Sequence, residues 1–464
     1  MSIIIPSNSI VSGGFNVDNS VRLDGTSAYF NRTPSSAGNQ KKFTFSTWIK
    51  RSKLTDAHQD IITADAGDLE TYIFFKSNTD NLNIYSTDAD GNVEVSLITT
   101  QVFRDTSAWY HIVVAVDSTQ GTDSNRFKVY VNGTQVTSFS TATYPAVNSV
   151  FAITDDAAHM IGRRVAGGKF LNGYLAETVL IDGTQNAPTD FGEFDEDSGI
   201  WKPINVSGLT FGTTGFYLNY QSSGDLGAST NSNNFTSNSL AATDQSTDTC
   251  TNNFCTMNPL NVPASSAPTF SEGNLKSISA NSKFGGSSTI GLTSGKWFLE
   301  AKSIEDSTIR NTIGISGEVS ELARLNASPT ASSSTNSSVA YQAEGGNKYV
   351  NYSDSSYGAT YGNNDIIGIA IDLDSGTKTV TFYKNGASQG AITIPTAIGS
   401  TTDGAYFIVH GSSGASPSTF EFNFGSPPYS ESGGNSDGDG YGNFSMTVPS
   451  GYFAINTKNL AEYG

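Results

Sequence analysis

Alternating apolar and polar residues are the dominant pattern of this sequence. Residues 43–49 alternate over most of their length, which predicts a strand with one buried face. Residues 109–116 are more continuously apolar, as is typical of a central strand. Residues 127–131 run directly into Asn132 and Gly133, a dipeptide that favours a type I′ hairpin turn. The N-terminal part is therefore predicted to consist of antiparallel strands.

The C-terminal part has the same kind of pattern. Residues 365–374 alternate from Ile367 onward, and residues 380–384 lead into Asn385 and Gly386, a second type I′ signal. Many short strands at this spacing are typical of sandwiches. The two parts do not share a sequence order, so we infer no internal repeat. We predict an all-β fold of two antiparallel β-sandwich (jelly-roll) domains joined by an ordered polar linker.

The linker is predicted from a polar stretch, residues 221–271, which is rich in Ser, Thr and Asn. Such a composition buries little apolar surface and does not build a core of its own. Apolar residues within it, such as Phe235 and Phe254, indicate an ordered strap and not a loose tether. The predicted domains are a jelly roll with an acidic C-terminal turn at 1–204, the strap at 205–274, and a second sandwich with a C-terminal extension at 275–464.

Composition narrows the classes of partner. Charged residues make up 15% of the chain and aromatic residues 11%. Few charges and many aromatic residues argue against an intrinsically disordered protein. The net charge of −18 argues against nucleic acid and anionic lipid as partners. No stretch approaches the roughly 20 apolar residues of a membrane span. The first six residues lack the basic and apolar regions of a secretory signal.

Several N-terminal segments, taken in order, resemble the laminin-G/concanavalin-like jelly-roll family over roughly residues 15–185. They are residues 21–30, 43–49, 109–116, 129–133, 161–164 and 170–177. The C-terminal part resembles the SPRY family over roughly residues 275–426. The matching segments there are residues 295–300, 313–315, 365–374, 380–386 and 422–425. Each segment alone is weak evidence for its family, whereas the full set of segments in this order is fairly specific for it.

The joining segments, residues 190–203, 251–254 and 451–460, resemble large phage proteins that pair these two domains. Most such proteins come from phages of aquatic bacteria and are assigned to tail or head fibres. One departure is that Cys250 and Cys255 stand where small uncharged residues are expected. Two cysteines are too few for a disulfide framework or a four-thiolate zinc site. A bridge between them stays open, and two unbridged thiols are favoured.

Some concanavalin-like sandwiches hydrolyse glycans with paired carboxylates in a Glu-x-Asp-x-x-Glu strand, so the acidic residues of this chain bear on catalysis. The acidic run 193–197 is similar, but position 198 is Ser and the run follows a helix or turn start at 187–190. His111 lies inside an apolar strand and is expected to be a hydrogen-bonded core residue. No G-x-S-x-G elbow is present, although a serine triad stays open. We therefore predict no catalytic residue and no enzyme.

A calcium site was considered next. Residues 435–440 place oxygen ligands and Gly as calcium loops do, but the twelfth position is Met446, where a bidentate Glu is required. A flexible Gly/Asp surface loop is the favoured interpretation. Laminin-G-like domains sometimes hold calcium at a sheet edge, so Asp24, Asp117 and Asp182 stay open as ligands. We predict no metal and no cofactor, with calcium as the alternative.

Sugar binding suits the composition, because aromatic faces stack on sugars while polar groups bond their hydroxyls. Residues 341–361 combine tyrosines with Ser, Asn and Gly, and they fall where the variable loops of SPRY domains form a ligand face. The alternative is that about half of these tyrosines alternate into the core. The predicted ligand-binding residues are Tyr341, Tyr349, Tyr352, Tyr357 and Tyr361.

These patterns and resemblances lead to one functional hypothesis with two alternatives. The first is a non-enzymatic fibre or spike on the phage particle surface, made in the host cytoplasm, that binds host-surface polysaccharide or another receptor. The second is a capsid- or tail-decorating protein with assembly contacts only, and the third, disfavoured, is a polysaccharide depolymerase. Expected partners are other virion proteins, the host glycan, and copies of the chain in a homo-oligomer, with a trimer as a guess that no motif specifies.

Overall fold

The computed structural model describes residues 14–464 except 55–56, 263–266, 282–283, 318–337, 352, 396–404, 413, 415 and 432. Nearly all of the regular structure is β-strand in antiparallel sheets, which confirms the predicted all-β sandwich class. The described residues form two compact units, with the division between Thr251 and Asn252. Among the described residues, no helix is long and apolar enough to cross a bilayer.

The described residues of the first unit form strands, short 3-10 turns and the short α-helix α1 (Asp123–Arg126). Its strands are β1 (Ser20–Asp24), β2 (Tyr29–Arg32), β3 (Lys42–Arg51), β4 (Gln59–Asp65), β5 (Glu70–Phe75), β6 (Asn81–Thr87), β7 (Val93–Val102), β8 (Trp109–Asp117), β9 (Phe127–Val131), β10 (Thr134–Gln135), β11 (Phe139–Thr143), β12 (Ala158–Ile161), β13 (Asn172–Asp182), β14 (Gly192–Phe194), β15 (Trp201–Pro203), β16 (Phe216–Leu218), β17 (Thr236–Asn238) and β18 (Gln245–Ser246).

Two sheets of the first unit enclose its core. The first sheet has the order β10-β9-β8-β3-β13-β1-β18, with β16 also paired to β13, and the second has the order β11-β7-β6-β5-β4-β12-β2-β17. Alternate residues of each strand point inward, as the period of two requires. Phe45 of the first sheet and Ile73 of the second belong to the same buried apolar cluster. The predicted turn is present, since Asn132 and Gly133 both have the positive φ of a type I′ turn.

The segment predicted as a separate strap is divided between the units. Its N-terminal portion adds β16, β17 and β18 to the sheets of the first unit, so this unit extends past the predicted boundary at 204. Its C-terminal portion, from Asn252, adds a strand to the second unit. The physical reason is that apolar residues of this segment, such as Phe216 and Phe235, complete the buried core of the first unit. Hydrogen bonds also attach it. One example is the Ser20 hydroxyl, which donates to the Asp248 carbonyl at 2.6 Å.

The second unit consists of strands with a C-terminal helix, α2 (Thr457–Tyr463). Its strands are β19 (Thr269–Ser271), β20 (Lys276–Ile278), β21 (Phe284–Ser287), β22 (Lys296–Ser303), β23 (Asn311–Ser316), β24 (Ser338–Gln342), β25 (Asn347–Val350), β26 (Ser353–Ser356), β27 (Ile366–Asp372), β28 (Thr379–Lys384), β29 (Ala387–Thr393), β30 (Phe407–Ser412), β31 (Thr419–Asn423) and β32 (Phe453–Ala454).

Two sheets also form the second unit. One has the order β19-β20-β31-β22-β27-β28-β29, with β32 paired to β22, and the other has the order β21-β30-β23-β24-β25-β26. Trp297 and Ile313 lie in the apolar cluster between them. Asn385 and Gly386 have positive φ at the turn between β28 and β29, which confirms the second predicted hairpin. Neither Cys250 nor Cys255, both described residues, is in a disulfide.

Candidate ligand-binding site

The outer face of the second sheet in the first unit, the side away from the core, carries aromatic residues. In β5, Ile73 and Phe75 point into the core, so the alternation places Tyr72 and Phe74 on the outer face. Tyr85 of β6 lies directly opposite Tyr72, and the two rings stack with centroids 6.0 Å apart. Tyr72 and Phe74 are themselves buried on this face, so Tyr85 is the partly exposed ring of the three.

An arginine is fixed on these rings. The Arg164 guanidinium donates to both carboxylate oxygens of Asp60, at 2.7 and 3.2 Å. Its central carbon lies 4.4 Å from the centroid of the Tyr72 ring and 5.3 Å from that of Phe74. Burial raises the pKa of Asp60 to about 6, although the hydrogen bonds and charge of Arg164 act in the opposite direction. Stacking and the bidentate pair together fix the orientation of Arg164.

A second group of rings lies on the strand pair β2 and β12 and the loop that follows. Tyr29 and Phe170 meet edge to face with centroids 6.2 Å apart. The central carbon of the Arg163 guanidinium is 4.6 Å from the Tyr29 centroid and 5.4 Å from that of Phe170. All three side chains are only half-buried. They offer two aromatic surfaces and a cation to a ligand in solvent.

His58 lies at the end of the outer face near Phe74, with ring centroids 4.8 Å apart. Its Nδ1 accepts the backbone N–H of Ser77 at 2.9 Å, which leaves Nε2 as the protonated nitrogen of the neutral ring. Burial lowers the pKa of His58, and the charges of Arg164, Lys169 and Lys76 lower it further. A neutral imidazole with a donor at Nε2 is therefore surrounded by cations.

We call this surface the aromatic–basic face. It comprises Tyr29, His58, Lys76, Tyr85, Arg163, Arg164, Lys169 and Phe170. Half-exposed rings suit stacking on sugar C–H patches, and the cations and His58 supply hydrogen-bond donors. Sequence reasoning did not identify this site. The signal that was present is a glycine-containing basic loop, residues 163–169, within a strongly acidic chain.

The tyrosines predicted as ligand contacts have different environments in the second unit. Tyr341 and Tyr361 have no exposed surface. The Tyr361 hydroxyl donates to the carbonyls of Asn311 at 3.1 Å and Tyr341 at 3.0 Å, and the Tyr341 hydroxyl donates to that of Ala359. The prediction of ligand contact is thus corrected for these two residues. Tyr341 points into the core from β24, as the alternative interpretation proposed, and Tyr361 reaches the same buried cluster from the loop before β27.

Tyr349 and Tyr357 remain half-buried at the edge of their sheet. The Tyr349 hydroxyl donates to Gln342 at 3.2 Å, and that of Tyr357 to the carbonyl of Gly390 at 2.5 Å. The Lys348 ammonium lies 5.6 Å from the Tyr357 centroid. Tyr352 lies outside the described residues. A ligand role of Tyr349 and Tyr357 stays a prediction.

The aspartates considered for calcium are engaged with protein donors. Burial acts to raise the pKa of Asp24, but the N–H groups of Ser27, Ala28 and Thr26 outweigh it and hold this pKa well below its ordinary value. Asp117 forms an ion pair with Lys42, at 3.1 Å, and Asp182 accepts the N–H of Asn39 at 2.7 Å. In the part of the chain that the structure describes, no three His, Cys, Asp or Glu residues are grouped to hold a metal.

The Asn435–Gly440 loop holds the C-terminal segment in place. Asp437 is buried, which differs from the expected surface loop. Its Oδ1 accepts the N–H groups of Asp439 and Tyr441, at 3.0 and 2.8 Å. Its Oδ2 accepts from the Ala454 N–H and the Asn459 amide, at 2.9 and 2.8 Å. Four donors saturate the carboxylate, so its role here is structural.

The polar groups considered for catalysis form closed networks. Trp201 donates to Nδ1 of His111 at 2.9 Å, so Nε2 of the neutral ring donates to Ser46, at 2.8 Å. Ser46 is the acceptor and is buried, an arrangement opposite to that of an activated serine. The expectation that His111 is a hydrogen-bonded core residue is confirmed. In the acidic run, Glu193 and Asp195 both pair with Lys202 on the exposed hairpin β14–β15.

The fold and these surfaces define an all-β protein with two binding-type sandwich domains. Residues 24–188 match the family model of the concanavalin A-like lectin/glucanases superfamily, and residues 296–427 match that of the SPRY domain. The two predicted domain types are confirmed by these matches. No curated protein matches the sequence at a significant level.

Solved structures similar to parts of the chain include a heptameric SAP-like pentraxin from Limulus polyphemus, 14% identical with a TM-score of 0.28, over 37% of this chain and 78% of that chain. A putative carbohydrate binding protein from Bacteroides ovatus is 15% identical with a TM-score of 0.34, over 48% of this chain and 58% of that chain. A human SPRY domain is 20% identical with a TM-score of 0.21, over 32% of this chain and 83% of that chain.

Proposed function

We propose that this protein is a non-catalytic binding protein on the surface of a phage particle and that it attaches to host-surface polysaccharide. Two binding-type domains in one chain support a binding role. The observation that carries the proposal is the aromatic–basic face, where half-exposed Tyr29 and Phe170 enclose Arg163. This combination supplies stacking and directional hydrogen bonds in one place.

The virion location and the partners come from the resemblance of the joining segments to large phage proteins. A chain of this kind would be made in the host cytoplasm and assembled with capsid or tail proteins. Each glycan contact is weak, so a homo-oligomer would increase the overall affinity through avidity. A trimer is the oligomer we propose, and sedimentation of the purified chain tests it.

The binding proposal is tested with the full chain and a panel of purified bacterial capsular and lipopolysaccharide glycans. We expect saturable binding to at least one glycan, and its loss, by about tenfold or more, in the Tyr29→Ala/Phe170→Ala variant. Tyr349→Ala/Tyr357→Ala is the matched control in the other unit. Equal binding by the native chain and both double variants would show that the aromatic–basic face does not bind the glycan. Loss only in the control pair would move the site to the second unit.

The second candidate function is a capsid- or tail-decorating protein that makes assembly contacts only. It is favoured by exposed apolar residues on the hairpin β14–β15, where Phe194 is 52% and Ile200 42% exposed. Phe194→Ser/Ile200→Ser would then abolish incorporation into particles and leave glycan binding unchanged. A chain that binds no glycan and depends on these two residues for incorporation would favour this function over attachment.

A further inference from the structure

We propose that the aromatic–basic face recognises an anionic saccharide, one bearing carboxylate or sulfate groups, through Lys76, Arg163 and Lys169. This inference rests on the proposed glycan-binding function and adds the charge class of the ligand. Its starting point is local charge: the chain has a net charge of −18, yet Lys76 and Lys169 lie near His58 and Arg163 lies over Tyr29 of the same sheet. A group of positive side chains on an acidic protein creates a local positive potential, which would attract a negatively charged ligand.

Two carboxylates near the basic end of the sheet, Asp60 and Asp80, are already paired with other cations. Asp60 is fully buried and pairs with Arg164 at 2.7 Å. Asp80, in the turn that follows Lys76, pairs with Arg51 at 3.1 Å and with Arg104 at 2.9 Å. Among the described residues, no carboxylate lies within ion-pair distance of Lys76, Arg163 or Lys169. The positive charge of these three residues is therefore available to a ligand.

The backbone places Lys76 and Lys169 at the same end of the sheet. Asp60 lies opposite Phe74 in the β4–β5 register, and its N–H donates to the carbonyl of Lys169 at 3.0 Å. Lys76 is two residues beyond Phe74. At the other end of the same strand pair, Asp65 lies opposite Glu70. Five residues of strand separate the basic and acidic ends by about 16 Å, so an acidic sugar would be held in one orientation.

Arg163 adds a directional element. Its guanidinium is held over the rings of Tyr29 and Phe170, with its central carbon 4.6 and 5.4 Å from their centroids. Arginine presents its donors as a planar fork that matches a carboxylate or sulfate in a bidentate contact. The rings would contact the apolar side of the sugar while the fork contacts its anionic group. Neutral sugars would gain only the first of these contacts.

The test uses the full chain and three soluble probes: oligogalacturonate, a heparin oligosaccharide and neutral dextran oligosaccharide. We expect binding to one or both anionic probes, weakened at least tenfold by Lys76→Gln/Lys169→Gln and strongly reduced at 1 M salt. Lys41→Gln/Lys128→Gln removes the same charge from the same unit outside the face and should have no effect. Arg163→Lys keeps the charge but should still weaken binding, because the fork is lost. Comparing oligogalacturonate, which carries carboxylates only, with heparin, which also carries sulfates, identifies the anionic group that is bound.

Each contrary result has a distinct meaning. Binding to dextran alone, or to anionic and neutral probes equally, would overturn the anionic subsite and leave the proposed glycan-binding function in place. Equal weakening by both lysine pairs would also overturn it, since the effect would then follow net charge and not position. Single-stranded DNA is included as a fourth probe, and preference for it over both acidic saccharides would assign the cations to nucleic acid and overturn the proposal. Failure to bind any glycan, here and in the polysaccharide panel, would remove the proposed function itself.

Discussion

The Lys50 ammonium lies 2.8 Å from the Asp248 carboxylate, and both side chains are almost fully buried, with 1% and 3% of their surface exposed. The other carboxylate oxygen accepts the indole N–H of Trp109 at 3.2 Å. Lys50 belongs to β3 in the first sheet of the first unit, whereas Asp248 belongs to the polar segment predicted as a strap. The Lys50–Asp248 ion pair thus helps to hold the polar segment against the first sheet.

Asp248→Ala is expected to destabilise the first unit by about 3–5 kcal/mol, because it leaves a buried ammonium without its counter-charge. Lys50→Met/Asp248→Leu removes both charges and should cost clearly less than the single change. Urea unfolding of the three proteins measures both values. A single variant as stable as the native chain would show that Lys50 reaches water when its partner is lost.

The two Asn-Gly hairpins offer a matched pair of substitutions. A Cβ added at Gly133 would lie 2.3 Å from the Trp201 ring, whereas one added at Gly386 would meet no atom within 4 Å. Both glycines have positive φ, so Ala costs about 1–2 kcal/mol of backbone strain at either position. Gly133→Ala should cost about 2 kcal/mol more, since the buried Trp201 must also move. Thermal unfolding compares them, and equal losses would contradict the close packing of Trp201.

Local patterns predicted the strands and both hairpins because period-two alternation and the Asn-Gly turn act over a few residues. The attachment of the polar segment was not predictable in this way, since the Lys50–Asp248 pair joins positions 198 residues apart. The alternation that predicted strands also applies to Tyr341, which β24 directs into the core, whereas Tyr361 enters the same core from a loop and follows no strand period. The aromatic–basic face depends on strand order, which composition does not reveal.

Glu300 should make the second unit sensitive to pH. Burial raises the pKa of its carboxyl to about 7, against the effect of the Met446 and Ser445 N–H groups. The folded chain binds this proton more tightly than the unfolded chain, so the contribution to stability is complete at low pH. It is lost as pH rises from the ordinary pKa of Glu through about 7.

The expected change from this carboxyl between pH 5 and pH 8 is about 1–3 kcal/mol. Glu300→Gln should remove this part of the pH dependence, because the amide does not ionise. Glu462→Gln, an exposed position on α2, is the control that should keep it. Urea unfolding of the second unit at both pH values measures the effect. An unchanged slope in Glu300→Gln would assign the dependence to other groups.

Metal removal should leave the chain unchanged. Asp24, Asp117, Asp182 and Asp437 each accept hydrogen bonds from nearby protein groups, so binding Ca²⁺ would require breaking them. We expect the melting temperature in EDTA and in millimolar Ca²⁺ to agree within about 1 °C. A calcium-dependent rise that disappears in Asp24→Asn would instead establish the sheet-edge site that the sequence left open.

Tyr361→Phe separates the core tyrosines from those that can meet a ligand. The Tyr361 hydroxyl donates to two buried carbonyls, those of Asn311 and Tyr341, and its loss leaves both without this donor. We expect a cost of about 1–3 kcal/mol in unfolding free energy and no change in glycan binding. Tyr349→Phe removes one hydrogen bond at a half-buried edge and should cost at most about 0.5 kcal/mol. If Tyr361→Phe weakened glycan binding at a temperature where the variant is fully folded, a ligand role for this buried tyrosine would have to be restored.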